Sequence, residues 1–133
     1  MSEYTFIEDS ENFARFILFS RWYVKEDKRV KPEAFMPHPY TLELSVTRTK
    51  NLSENELMEI CKNISHNRPP ATLYGNAKFK ALEVRKINLD AVPAPVEGNA
   101  NHAHVIGWPL EKSKQKSLAL EIASKATIEL YFL

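Results

Sequence analysis

Apolar and polar positions alternate most cleanly between residues 41 and 48, where Leu42, Leu44 and Val46 share one side of an extended chain and Thr41, Glu43, Ser45 and Thr47 the other. That period predicts a strand with one buried face. Residues 13–24 are apolar on both alternating sides and rich in aromatic and β-branched side chains, as in a central strand covered on both faces, with a buried helix as the alternative. The polar connector Glu26-Asp27-Lys28-Arg29 returns residues 30–36 as a partner strand. Pro32 cannot donate to a ladder and so places that strand at an edge, with Phe35 as its core anchor. Pro37-His38-Pro39 then makes a rigid corner, with His38 a surface residue of that loop.

A helical period takes over after residue 52. Ser53 and Glu56 have the spacing of a capping box, Leu52 and Leu57 can staple around it, and Leu57, Ile60, Cys61 and Ile64 form a stripe at i, i+3, i+4 and i+7. The expected helix covers about 53–67 and stops by Asn67, because Pro69-Pro70 cannot continue it. A second helix is expected over about 110–127. Pro109 would take its first position, Ala119, Ile122, Ala123 and Ala126 would be its buried stripe, and Glu121 is placed to pair with Lys125.

Between the helices the pattern is mixed. Leu73-Tyr74-Gly75-Asn76 reads as a short strand entering a turn, and Ala77, Phe79 and Ala81 alternate against Lys78 and Lys80. The phase then slips, leaving residues 81–86 as a bulged strand or a helical turn. Residues 90–99, with Pro93, Pro95 and Gly98, read as an extended loop. Residues 102–106 can be a strand with His102, His104 and Ile106 on one face, turned into the last helix by Gly107-Trp108-Pro109. Residues 128–133 are a terminal strand or a tail docked on the core; if not buried within their own domain they should pair with a second copy. Together these elements predict an α+β fold, a mainly antiparallel sheet with two principal helices packed on it. A flexible lead-in over residues 1–12 would precede one domain over 13–133.

Composition narrows the class rather than the function. With 133 residues, 44% of them hydrophobic, one core of ordinary size is expected. A net charge of +1 gives no global field that would steer the chain onto nucleic acid or an anionic membrane, so either would need a local patch. Cys61 is the sole cysteine, which excludes an intrachain disulfide, suits a reducing compartment and, on an apolar stripe, reads as a small core residue. The acidic N-terminus is unlike a secretory signal and no apolar run reaches spanning length, so a cytoplasmic protein is expected.

Lys31-Pro32-Glu33-Ala34-Phe35, Glu43-Leu44-Ser45-Val46-Thr47-Arg48, Leu52-Ser53-Glu54-Asn55-Glu56, His102-Ala103 and Gly107-Trp108-Pro109, followed by Gln115-Lys116 and Glu121-Ile122-Ala123, form an ordered string of short segments. It resembles a loose family of small bacterial proteins over about residues 15–125. The resemblance implies no activity, because that family has no established function.

Residues 101–116 gather the most chemically capable side chains. Histidines two apart on a strand project the same way and can bind zinc, but no third ligand follows; Ile106 stands where a His-x-His-x-Asp motif needs its aspartate. No metal and no cofactor is expected. An anion site is the alternative: the N-terminus of the last helix offers free N–H groups, with Trp108, Lys112, Gln115 and Lys116 as binding candidates beside Lys114. Against it stand a solvated lysine face and a structural tryptophan. If the site lies here, His102 and Lys112 should approach one concave surface.

Two function classes follow. One is a small binding or interaction module, an accessory to a protein partner or a homodimer, taking a phosphate-containing ligand. The other is a hydrolase or ribonuclease acting on a phosphate ester, with His102 or His104 as acid or base and Arg48 or Lys112 holding the phosphate. Nucleic acid as a partner stays open, and no membrane is expected.

Overall fold

The computed structural model describes residues 6–66 and 72–131. In chain order the regular elements are β1 (Asn12–Ile17), β2 (Tyr23–Val24), β3 (Arg29–Val30), β4 (Leu44–Arg48), α1 (Glu54–His66), β5 (Gly75–Lys80), α2 (Ala81–Arg85), β6 (Asp90–Pro93), β7 (His102–Ile106), α3 (Lys112–Lys125) and β8 (Thr127–Leu130). Six of the strands make one sheet in the order β6-β7-β4-β1-β5-β8, every pair antiparallel. The fold is α+β, with the sheet covered on both faces at its centre.

Period-two side-chain placement assigns the two faces. Phe13 and Ile17 of β1, Leu44 and Val46 of β4, Ala77 and Phe79 of β5 and Ala103 and Val105 of β7 point to the main core, where α3 packs with Ala119, Ile122 and Ala123. The short side chains on α3 let the helix sit close. Phe79 is met edge-on by Phe13 and Phe35, with centroids 5.6 and 5.5 Å away. The opposite face holds a smaller cluster, in which Ala14, Phe16 and Leu18 pack against Leu57 and Cys61 of α1 and Leu73. Burial on both sides is why residues 13–18 lack a polar side.

The expected capping box is present: Ser53 N–H donates to Glu56 Oε1 at 2.9 Å, and Glu56 N–H to Ser53 Oγ at 3.1 Å. Serine at the cap lowers the Glu56 carboxyl below its ordinary range, first through the Ser53 backbone N–H and then through its side chain. The helix end expected at Asn67 and the Pro69-Pro70 break lie outside the described residues, as do Phe132 and Leu133.

Several boundaries differ from the sequence pattern, each for a local reason. The strand expected over 13–24 ends at Ile17, and Ser20–Trp22 form a 3-10 turn that leads into the β2–β3 hairpin. The partner strand expected over 30–36 is only β3; Pro32 opens a 3-10 turn (Pro32–Phe35) that places Phe35, fully buried, under the sheet. Leu42 does not join β4, because its φ is 56° and its N–H closes a turn to His38 O at 2.9 Å. Gly75 opens β5 rather than a turn; a Cβ there would sit 2.9 Å from Leu130 Cα, so glycine lets β8 approach. Residues 81–85 take the helical alternative, and 90–93 form an edge strand instead of a loop. Pro109 precedes α3, whose N-cap is Glu111.

The expected loose lead-in is docked over its described part. Ile7 is 1% exposed, and Glu11 meets Arg48 in a buried bidentate pair, Nε–Oε1 2.8 Å and Nη2–Oε2 2.7 Å. Phe6 O accepts a further bond from Arg48 Nη2 at 2.9 Å. A guanidinium that deep needs several acceptors, and the N-terminal segment supplies them.

Candidate binding groove

Among the described residues α1 packs on the β1 side of its face of the sheet. Over β4 and β7 no described element covers that face, which forms the floor of a groove of about 690 Å³, within the range of small-molecule sites. Ser45 and Thr47 of β4 and His102 and His104 of β7 alternate up from that floor, paired Ser45 with His104 and Thr47 with His102. Ile60, Asn63 and Ile64 of α1 make one wall, and residues 96–99 make the other.

The histidine pair is held in place. Its rings meet edge to face with centroids 4.9 Å apart. His102 Nδ1 lies 2.9 Å from Ala94 O, which can only accept, so the proton of that bond sits on Nδ1. His104 Nδ1 faces Glu43 Oε2 at 3.4 Å, and the corner at His38 sets Glu43: His38 N–H donates to Glu43 O at 3.0 Å, while Tyr40 and Thr41 N–H reach His38 Nδ1 at 3.2 and 3.4 Å. His38 therefore shapes its own corner.

Buried amides anchor the loop wall. Asn99 Nδ2 donates to Thr47 Oγ1 at 2.8 Å, and Asn101 Nδ2 donates to Arg48 O and Lys50 O at 2.9 and 3.1 Å. Val96 and Asn99 exchange backbone bonds of 3.1 and 3.0 Å around Gly98, whose φ of +85° suits glycine. The tip leaves Val96 half-exposed at the rim, beside Glu97.

The sheet separates the candidates that neighbour one another in sequence. His102 and His104 lie in the groove, whereas Trp108 joins the core on the other face and donates Nε1–H to Val105 O at 3.0 Å. Gln115 is buried too, its Nε2 donating to Pro109 O at 2.7 Å, so its amide secures the corner before α3. Lys112 and Lys116 are exposed on α3, and Lys114 pairs with Glu111 at 3.2 Å. His102 and Lys112 thus do not share the expected concave surface. Arg48 turns away from the histidines, since it projects to the Glu11 side of β4.

Ile60, Ile64, Ser45 and the 96–99 wall were not singled out as site residues from sequence. The available signal was that both isoleucines sit at the margin of their helical stripe, and that the polar sides of two strands coincide. Arg15 borders the groove by position, but its guanidinium binds Ala34 O and Ser45 O at 2.8 and 3.0 Å and lies 5.0 Å over Trp22. No cluster of three His, Cys, Asp or Glu side chains suited to a metal occurs among the described residues. None of their helices is long and apolar enough to cross a membrane. No protein-family model, no curated protein and no solved structure matches the chain.

Proposed function

We propose that this protein is a small binding module whose ligand occupies the groove between α1 and the 96–99 wall. The observation that carries the reading is the sheet face over β4 and β7, where two oriented histidines rise from a floor flanked by Phe16, Ile60 and Ile64. Such a surface suits a compact amphipathic molecule, with an apolar ring against the isoleucines and a polar end at the imidazoles. The charge balance favours a neutral or cationic ligand: Glu97 borders the groove and Glu43 stands behind His104, while the Arg15 guanidinium is engaged elsewhere.

A phosphate ester is the weaker substrate class on the same ground, because Arg48 is committed to Glu11 and the α3 lysines lie beyond the sheet. A second reading rests on the row Glu43–His104–His102, which resembles an oriented acid–base pair and would suit hydrolysis of a neutral ester. The resemblance to the small bacterial family adds no activity to either reading. Amide shift mapping with small heteroaromatic amines separates the possibilities. Binding in the groove moves Ser45, Ile60, Ile64, Val96 and His104 together, and Ile64→Lys weakens it. Shifts confined to residues 107–116, or none at millimolar amine, refute the groove. Turnover of a neutral ester that His104→Ala removes would establish the enzyme.

A further inference from the structure

The two ends of the sheet differ in what their backbones leave open. At β6, Ala94 N–H donates to His102 O at 2.8 Å, and with Val92 opposite His104 this turns the N–H positions of 91 and 93 outward. Residue 93 is proline, and Ala91 N–H is taken by the Asp90 carboxylate at 2.8 Å. That edge offers no backbone donor for another strand. At β8, Tyr131 N–H donates to Tyr74 O at 2.8 Å, and with Glu129 opposite Asn76 this directs the N–H groups of Ile128 and Leu130 outward. Their side chains are half-buried on the face that carries the main core.

We propose that a second copy of this chain adds along β8, antiparallel about a two-fold axis, and joins the two sheets into one. Among the described residues the outward donors allow symmetric registers centred on Glu129 or on Ile128, the second reaching back to Ala126 at the end of α3. Centring on Glu129 would set that carboxylate directly against its own copy, a destabilising like-charge pair. Centring on Ile128 instead pairs Ile128 with Ile128, Leu130 with Ala126, and Glu129 with Thr127, so the apolar side continues across the axis and the charges are spared; Ala126 N–H stays with Ala123 O, and its carbonyl accepts from Leu130 N–H of the second copy. Of these two, the Ile128-centred register is the one proposed. Because β6 cannot add a strand, assembly stops at two. So short a strand pair falls below the roughly 1,600 Å² of a standard interface, which makes the dimer dependent on concentration.

Thr127 is exposed, so changing its charge tests the register without disturbing the core. Sedimentation velocity on the full chain should show reversible dimerisation below about 1 mM. Thr127→Lys, opposite Glu129 of the second copy, should tighten the dimer about fivefold, and Thr127→Glu should loosen it about fivefold, each acting through two symmetric pairs. Ile128→Pro removes an outward donor but no bond to β5, and should abolish dimerisation while Glu129 and Tyr131 amides stay protected from exchange. A monomer at every concentration, or a dimer indifferent to the charge at 127, overturns the proposal.

Discussion

Replacing Glu11 with alanine should be among the most damaging single changes in this chain. The Arg48 and Glu11 side chains are 1% and 5% exposed, and removing the carboxylate leaves a buried guanidinium with its bonds of 2.8 and 2.7 Å to Glu11 unmade. Breaking one side of such a pair costs about 3 to 5 kcal/mol, a large share of a typical domain stability of about 5 to 15 kcal/mol. Urea unfolding at pH 7, followed by tryptophan fluorescence, would measure the loss. Acid supplies a second arm. Burial alone would raise the Glu11 carboxyl, but the Arg48 hydrogen bonds, the Glu8 N–H and the charges of Arg48 and Lys50 outweigh it and hold the group below its ordinary value. A carboxyl depressed in the folded state contributes stability that is fully present above the unfolded value and is lost as pH falls through the folded one. The gap between parent and Glu11→Gln should therefore be constant from neutral pH down to about pH 5 and narrow below about 4.3. The double change Glu11→Leu with Arg48→Met should recover much of the loss, since a matched apolar pair carries no desolvation cost. A loss under about 1 kcal/mol for Glu11→Ala, the worth of an exposed pair, or a gap that ignores pH would refute the reasoning.

Ser53→Ala should cost about 1 kcal/mol through the lost cap; an unchanged urea midpoint would argue against the capping box. Gly75→Ala should push β8 away from β5, so amide exchange at Glu129 and Tyr131 accelerates while β1 and β4 keep their protection; equal protection in both variants would contradict the close approach. Burial pushes the Cys61 thiol up to about 12. An aromatic disulfide reagent at pH 8 should thus label it only as fast as the protein opens, and rapid labelling of the native state would contradict its buried position.

Elements with a strong local period were legible in the sequence: the α1 cap, the faces of β4 and β7, and the small-residue stripe of α3 all follow from side-chain spacing. What could not be read depended on distant partners. Gly75 looks like a turn residue until Leu130 is seen lying against it, and Pro93 looks like a loop residue until β7 is beside it. The candidate site was half legible for the same reason. The histidines were visible as a pair on one face, but their sequence neighbours Trp108 and Gln115 pass beneath the sheet, and Ile60 and Ile64 come from a helix about forty residues earlier. Arg48, read as a phosphate holder, was committed to Glu11 by an N-terminal segment whose polar sequence gave no sign that it docks.

The pleat of β4 and β7 divides their residues between two tasks. Leu44, Val46, Ala103 and Val105 hold the core, while Ser45, Thr47, His102 and His104 face the groove. Adjacent codons along these strands therefore answer to different selective pressures. A library randomising Ser45, His102 and His104 would therefore sample specificity, and one randomising Leu44, Val46, Ala103 and Val105 would sample stability.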